Sequence, residues 1–353
     1  MTIDSARPWL DSYAEGIPHD IEPATGSLID LVRNTAEKYP KATALEYFGA
    51  ETSYEQMVEQ IQRAAEGLRK LGVKKGDTVA LILPNSPQHV VAFYAVLRLG
   101  AIVVEHNPLY TPRELQHQFE DHNARWAIAW DKVVATIQKF PASVPIDGIV
   151  SMDVTKAMPF VMQLQLKLPI KKARESRNRL TTKVTGTTTW EEIVSSPRID
   201  PAHPRPETSD LALIQYTSGT TGSPKGAMLT HGNLLSNAEQ ARAWIPQIKE
   251  GQTVVYAILP MFHAYGLTLC LTFAMRMGAR LVLFPAFEPS LVLKAMKAHP
   301  PTFLPAVPPI YQRLQRAADD AGVSLKGIDI AISGPCRFRR ASSSRGRRVR
   351  ADG

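Results

Sequence analysis

Eleven consecutive residues, Tyr216–Gly226 (YTSGTTGSPKG), gather side chains that could handle a charged ligand. Gly219, Gly222 and Gly226 allow tight turns and a close approach of backbone amides. The hydroxyls of Thr217, Ser218, Thr220 and Thr221 add donors, and Lys225 adds one positive charge. Amides, hydroxyls and a lysine on one loop are what a polyphosphate requires, although the same composition also suits an ordinary surface turn. A Walker loop is excluded, because that pattern needs Gly-Lys followed by Ser or Thr, whereas here Pro224 precedes Lys225 and Gly226 follows it. A second candidate is His263, at the centre of LPMFHAYGL (259–267). A histidine standing alone in an apolar stretch is more often a satisfied interior group than a catalytic one.

The loop has to be held by regular elements, and the chain supplies them in alternation. It follows the apolar strand LALIQ (211–215) and precedes a helix beginning near His231. Upstream, TVALIL (78–83), AIVV (101–104) and WAIAW (126–130) read as buried strands. Between them run helices, one capped by Ser86 with Pro87 at its first position and stopped at Gly100, another opened by the capping box Thr111-Pro112-Arg113-Glu114. Downstream, strands are expected at 211–216, 253–259, 280–285, 302–306 and 328–332. Helices are expected near 231–244, 264–277, 289–299 and 308–318. This alternation implies α/β architecture with parallel-type sheets. The Pro-rich stretch 196–209 reads as a surface linker. The expected organisation is a first α/β subdomain over 1–195, that linker, a second α/β subdomain over 210–334 carrying the loop, and a disordered Arg-rich tail over 335–353.

The net charge of +8 on 353 residues belongs mostly to that tail. Seven of the 41 Lys/Arg but only one of the 33 Asp/Glu fall in 335–353, which leaves the rest of the chain at +2. A nearly neutral body without a reader motif argues against a nucleic-acid partner. The two cysteines, Cys270 and Cys336, make no disulfide framework and no metal spacing. No apolar run is long enough to span a membrane, and the N-terminus lacks the apolar region of a secretory signal. A cytoplasmic location is therefore expected. Residues 156–183 stand apart: eight Lys/Arg against the single acid Glu175 follow and overlap the apolar stretch PFVMQLQLKLPI. Two readings remain open, an interfacial segment resting on anionic lipid and a solvated insertion with a locally packed apolar face.

Taken together, these segments resemble one family. YTSGTTGSPKG closely resembles the signature phosphate loop of the AMP-forming adenylate synthetases, the acyl-CoA synthetase and luciferase superfamily. LTHGNLL (229–235) is similar to the continuation after that loop, and LPMFHAYGL to the family's second core motif. PTFLPAVPPIYQRL is similar to its pocket-forming strand and helix, and AISG (331–334) to its nucleotide-binding strand end. KYPKATAL, SYEQM, NPLYTPRELQHQFED and the basic insertion resemble bacterial long-chain fatty-acid–CoA ligases. The resemblance runs from about residue 27 to 334 and implies the family's large N-terminal domain, built from two parallel-type α/β subdomains.

It also implies ATP, Mg2+ and CoA as cofactors, and a fatty acid and ATP as partners. Tyr216, Thr217, Ser218, Gly219, Thr220, Thr221, Gly222, Lys225, Gly226 and Gly334 would contact nucleotide, with the Thr220 hydroxyl toward the metal. His263 would sit where carboxylate meets phosphate, with acyl-pocket residues near 262–267 and 306–311. Medium-chain and aryl acids remain alternatives, as does a binding remnant without turnover.

After AISG the chain departs from the family, which continues through an aromatic-Gly-x-Thr-Glu motif, a ribose-binding aspartate and a small domain bearing the adenylation lysine. Here PCRFRRASSSRGRRVRADG follows instead. Degenerate codons for Gly334 to Arg339, read two bases later, permit Ala-Leu-Pro-Leu-Pro, which is similar to the family's own continuation. The expectation is a shifted reading frame from about residue 335, and impaired ligation.

Overall fold

The computed structural model describes residues 7–217 and 224–334. Thirteen strands form two sheets: β1 (Thr43–Tyr47), β2 (Ala50–Ser53), β3 (Thr78–Ile82), β4 (Ile102–Glu105), β5 (Trp126–Trp130), β6 (Gly148–Met152), β7 (Thr188–Thr189), β8 (Leu211–Thr217), β9 (Lys225–Thr230), β10 (Val254–Ala257), β11 (Arg280–Leu283), β12 (Phe303–Ala306) and β13 (Ile330–Ser333). The larger sheet has the order β7-β6-β5-β3-β4-β8-β9 and the smaller β13-β12-β10-β11-β1-β2. Every pairing is parallel except the two edge hairpins, β8–β9 and β1–β2. In the second hairpin Phe48 (φ 54°) and Gly49 (φ 88°) both take positive φ, as a tight two-residue turn demands.

The strands alternate as buried parallel sheets should. On β3, Val79 and Leu81 face a core shared with the other sheet. Ala80 and Ile82 face a second cluster under the helices Pro112–His122 and Asp131–Ile137. On the smaller sheet, Val255 and Leu281 point into the shared core, while Tyr256 and Val282 pack with residues of the helices Pro289–Ala298 and Pro308–Ala321. Between the sheets runs Pro87–Arg98, a helix with all twelve residues buried, which touches β1 of one sheet and β3 and β4 of the other. Its Ser86 cap, the Gly100 stop (φ 70°) and the Thr111–Glu114 capping box form as the sequence implies.

One expectation needs correction. The sheets do not divide at 196–209: β1 and β2, from the first 53 residues, complete the smaller sheet, and β8 and β9, from beyond the linker, complete the larger. One continuous core joins both sheets, because the helix Pro87–Arg98 is buried on every side and packs against both. The Pro-rich stretch 196–209 is mostly exposed and is tied down at two points. The fully buried Arg98 donates to the carbonyls of Pro204 (3.2 Å) and Asp200 (3.4 Å), and Ile199 is buried with its N–H on Gln62 O at 3.1 Å. Among the described residues no helix is long and apolar enough to cross a membrane. The tail 335–353 lies outside the described residues, as do Cys336 and the question of its pairing. Cys270 is buried, with its thiol pushed up to about 12 by that burial.

Candidate nucleotide site

The expected phosphate-loop residues fall at the tip of the β8–β9 hairpin, on the larger sheet's carboxyl edge. Tyr216 and Thr217 end β8, and Lys225 and Gly226 begin β9, paired as Thr217–Lys225 and Tyr216–Gly226. Ser218, Gly219, Thr220, Thr221 and Gly222 lie outside the described residues. The requirement for glycine at 226 is local and steric. A Cβ there would come within 2.7 Å of Ile214 Cγ2 and 3.4 Å of the Tyr216 ring. The Lys225 side chain is exposed at the loop's base.

Behind the loop lies a buried polar layer. The Tyr216 hydroxyl bonds the Asp121 carboxylate, and burial with that bond raises the phenol's pKa. His106, just past β4, stacks on Phe119 and lies near the ring of Tyr216. It hydrogen-bonds Gln118 Oε1 through Nδ1 at 2.6 Å, while burial lowers its pKa to about 4. The His122 ring lies 5.0 Å from that of His106, and burial, helped by His106, lowers its pKa to about 2. Both rings are therefore neutral at pH 7. Glu105 and His89 form a fully buried pair at 2.9 Å, with Glu105 in register with Gln215 on β8.

Two buried amides then bind the second motif to this edge. Gln215 Nε2 donates to the carbonyl of Phe262 at 2.8 Å. Asn85, just past β3, donates to the carbonyls of Ala257 (2.9 Å) and Leu259 (2.8 Å) and accepts from Met261 N–H at 2.9 Å. Segment 257–262 thus belongs to the smaller sheet's β10 by chain but is fixed by side chains of the larger. His263 follows at once, exposed, with Nδ1 accepting from Tyr265 N–H at 3.5 Å. Gly334 is buried against Tyr265, two residues past His263: a Cβ would meet the Tyr265 ring at 2.7 Å, and the Tyr265 hydroxyl donates to Ile332 O at 3.2 Å. Motifs read separately in the sequence thus meet along strand carboxyl ends, where open α/β sheets bind ligands.

Asn85, Gln215, His106 and His122 escaped the sequence reading. An asparagine beside a proline reads as turn chemistry, and Gln215 lies inside an apolar run. The available signal was a polar residue at the end of a buried parallel strand.

Among the described groups at the loop it is the exposed Lys225 ammonium that fits an anion. Gln215 Oε1, buried without a partner, is an acceptor and adds nothing to anion binding. One amide oxygen does not make a magnesium site, since that ion needs several hard oxygens. Thr220 is outside the described residues. The three-residue cluster of candidate ligands among the described residues, Glu46, Glu51 and His299, is already engaged by Arg280, 2.7 Å from Glu46 and 2.5 Å from Glu51. The described residues do not make a magnesium site.

Two parallel α/β sheets sharing a core, with a Gly/Thr/Ser/Lys hairpin loop at their carboxyl edge, define a nucleotide-binding fold of the adenylate-forming kind. The model of the AMP-binding enzyme family matches residues 32–343, and the chain belongs to that family. It is 34% identical over 337 residues to a long-chain-fatty-acid–CoA ligase of Bacillus subtilis, across 94% of this chain and 59% of that protein. It is 31% identical over 277 residues to 4-coumarate–CoA ligase 1 of Arabidopsis thaliana, across 77% of this chain and 45% of that protein. The solved long-chain-fatty-acid-CoA ligase of Archaeoglobus fulgidus shares the fold at TM-score 0.71 and 24% identity, over 87% of this chain and 56% of that one. The chain thus spans between 45% and 59% of the length of these ligases.

Proposed function

We propose that this chain carries the nucleotide- and carboxylate-binding portion of an AMP-forming acyl-CoA ligase whose substrate is a long-chain fatty acid. The observation carrying the reading is the Gln215–Phe262 bond, which fixes the segment leading to His263 against the strand leading to the phosphate loop. In the reaction, a carboxylate oxygen attacks the α-phosphorus of ATP, the bond to pyrophosphate breaks, and an acyl-AMP forms. The thiolate of CoA then attacks the acyl carbon and expels AMP. Magnesium, when bound, would offset phosphate charge.

The chain's own part is binding and orientation. Loop amides and the hydroxyls of Thr217, Ser218, Thr220 and Thr221 cradle the outer phosphates, and Lys225 supplies charge to them. His263, exposed just past segment 257–262, orients the reacting carboxylate. Gly334, packed against Tyr265 with no room for a side chain, would let the nucleotide pass close to the end of β13. The resemblance to 4-coumarate–CoA ligase supports aryl acids as the second reading.

The test begins with melting temperature in ATP. A ligand bound only by the folded chain at a hundred times its Kd stabilises by about 2.7 kcal/mol. Lys225→Ala should weaken ATP binding by roughly tenfold or more, the loss of one charge-assisted bond. No ATP-dependent rise in Tm would overturn the reading. Pyrophosphate release with palmitate against 4-coumarate then separates the two acid classes. Binding without release is the outcome a frame-shifted tail would give.

A further inference from the structure

We propose that the surface formed by residues 160–174 is a docking site for an anionic lipid bilayer. Among the described residues nine large apolar side chains are exposed, and five of them fall within eleven positions: Phe160 (72%), Val161 (63%), Leu164 (46%), Leu168 (48%) and Ile170 (53%). Single exposed apolar residues need no explanation, but a contiguous patch does. On the helix Phe160–Lys167, positions 160, 161 and 164 share one stripe, continued by Leu168. Met162 and Leu166, on the opposite side, pack onto the core. The apolar content that could have been a packed insertion is thus divided, and its bulkier half faces solvent.

The charges around the patch select the partner. Lys167, Lys171, Lys172, Arg174 and Arg179 are all exposed, and the acid Glu175 reaches Lys171 only at 4.0 Å. Protein interfaces are depleted of lysine at their cores, whereas lysine and arginine flanking exposed Phe, Leu and Ile are the pattern of helices that lie in a lipid interface. The platform is fixed. Trp130 Nε1 donates to Leu180 O at 2.7 Å, Lys132 Nζ to Asn178 O at 2.6 Å, and Thr182 N–H to Asp131 at 3.0 Å. It leaves the larger sheet at the carboxyl end of β6 and is tied back beside the carboxyl end of β5. β5 and β8 are three strand spacings apart, roughly 14 Å, so the docking surface and the phosphate loop rise from the same edge. If the ligase reading holds, a bilayer seated there presents its dissolved acids on the side of the site. The docking itself does not depend on that reading.

The experiment is co-sedimentation of the full chain with phosphatidylcholine vesicles and with vesicles also containing phosphatidylglycerol. Binding should require the anionic lipid and weaken with salt. Lys171→Gln with Lys172→Gln should reduce it about thirtyfold, at roughly 1 kcal/mol per charge. Phe160→Ser with Val161→Ser, at exposed positions that leave Tm unchanged, should remove the binding that survives in high salt. Because the Arg-rich residues 335–353 could also attract anionic lipid, a chain stopped at Gly334 is run alongside. Binding that ignores both double variants and disappears with the tail would overturn the proposal, as would no binding to anionic vesicles at all.

Discussion

Asn85 is the side chain whose removal should cost most for its size. It is buried and uses its donors on Ala257 O and Leu259 O and its acceptor on Met261 N–H, all at 2.8 to 2.9 Å. Asn85→Ala deletes three bonds worth about 1 kcal/mol each and leaves three buried backbone groups short of a partner, for a total of about 3 to 5 kcal/mol. Water entering the vacated space would hold the loss toward the lower figure. Asn85→Asp separates the two halves of the clamp. It keeps an acceptor for Met261 N–H but turns an oxygen toward two carbonyl oxygens and buries a charge, so it should be at least as damaging as alanine. Urea unfolding followed by tryptophan fluorescence, with an unchanged m-value, gives the loss directly. The second readout is the ATP-dependent rise in Tm, which should shrink once segment 257–262 is no longer tied to the larger sheet. A loss below about 1 kcal/mol in both variants, or an aspartate clearly milder than alanine, would refute the clamp.

Acidification should destabilise the fold well before the carboxylates protonate. His106 and His231 are held near 4, and His122 near 2, by burial, so the unfolded chain takes up protons near pH 6.5 that the folded chain refuses. Asp131, raised to about 6 by burial, opposes this below pH 6. The net slope is at most about 2.7 kcal/mol per pH unit; a Tm that stays flat from pH 7 to 5.5 would contradict it. Gly266→Ala should also be severe, since its Cβ would lie 2.0 Å from Pro260 O and 2.6 Å from Pro260 C. Neither backbone atom can rotate away, and a loss of at least about 2 kcal/mol in urea is expected.

Local structure was legible where the residue itself states the rule. Ser86-Pro87, Thr111-Pro112-Arg113-Glu114 and the apolar runs at 78–83 and 126–130 read correctly because capping and burial act within a few residues. The pairing of β1 with β11 was not legible. It joins Leu45 to Leu281, and nothing within either segment encodes its partner, because parallel pairing is chosen by which faces the intervening helices can cover. The same limit hid the site's supports. Tyr216, Lys225 and His263 announced themselves by motif, whereas Gln215 and Asn85 matter through what lies 47 and 172 or more residues away, a distance no local pattern spans.

The hairpin also changes how the loop can hold charge. A strand, β9, intervenes between the loop and the helix His231–Trp244, whereas a Walker-type loop runs straight into a helix and its anion sits on the helix N-terminus. Six strand residues place that N-terminus roughly 20 Å along the chain from the loop. The helix macrodipole fades within its first turn and cannot act across that span. On the proposed reading, phosphate charge at this loop would be met by the loop's amides and hydroxyls, the Lys225 ammonium and bound magnesium, with no share from that helix. That also gives a physical reason for the antiparallel pairing of Thr217 with Lys225: it brings the lysine back to the mouth of the loop.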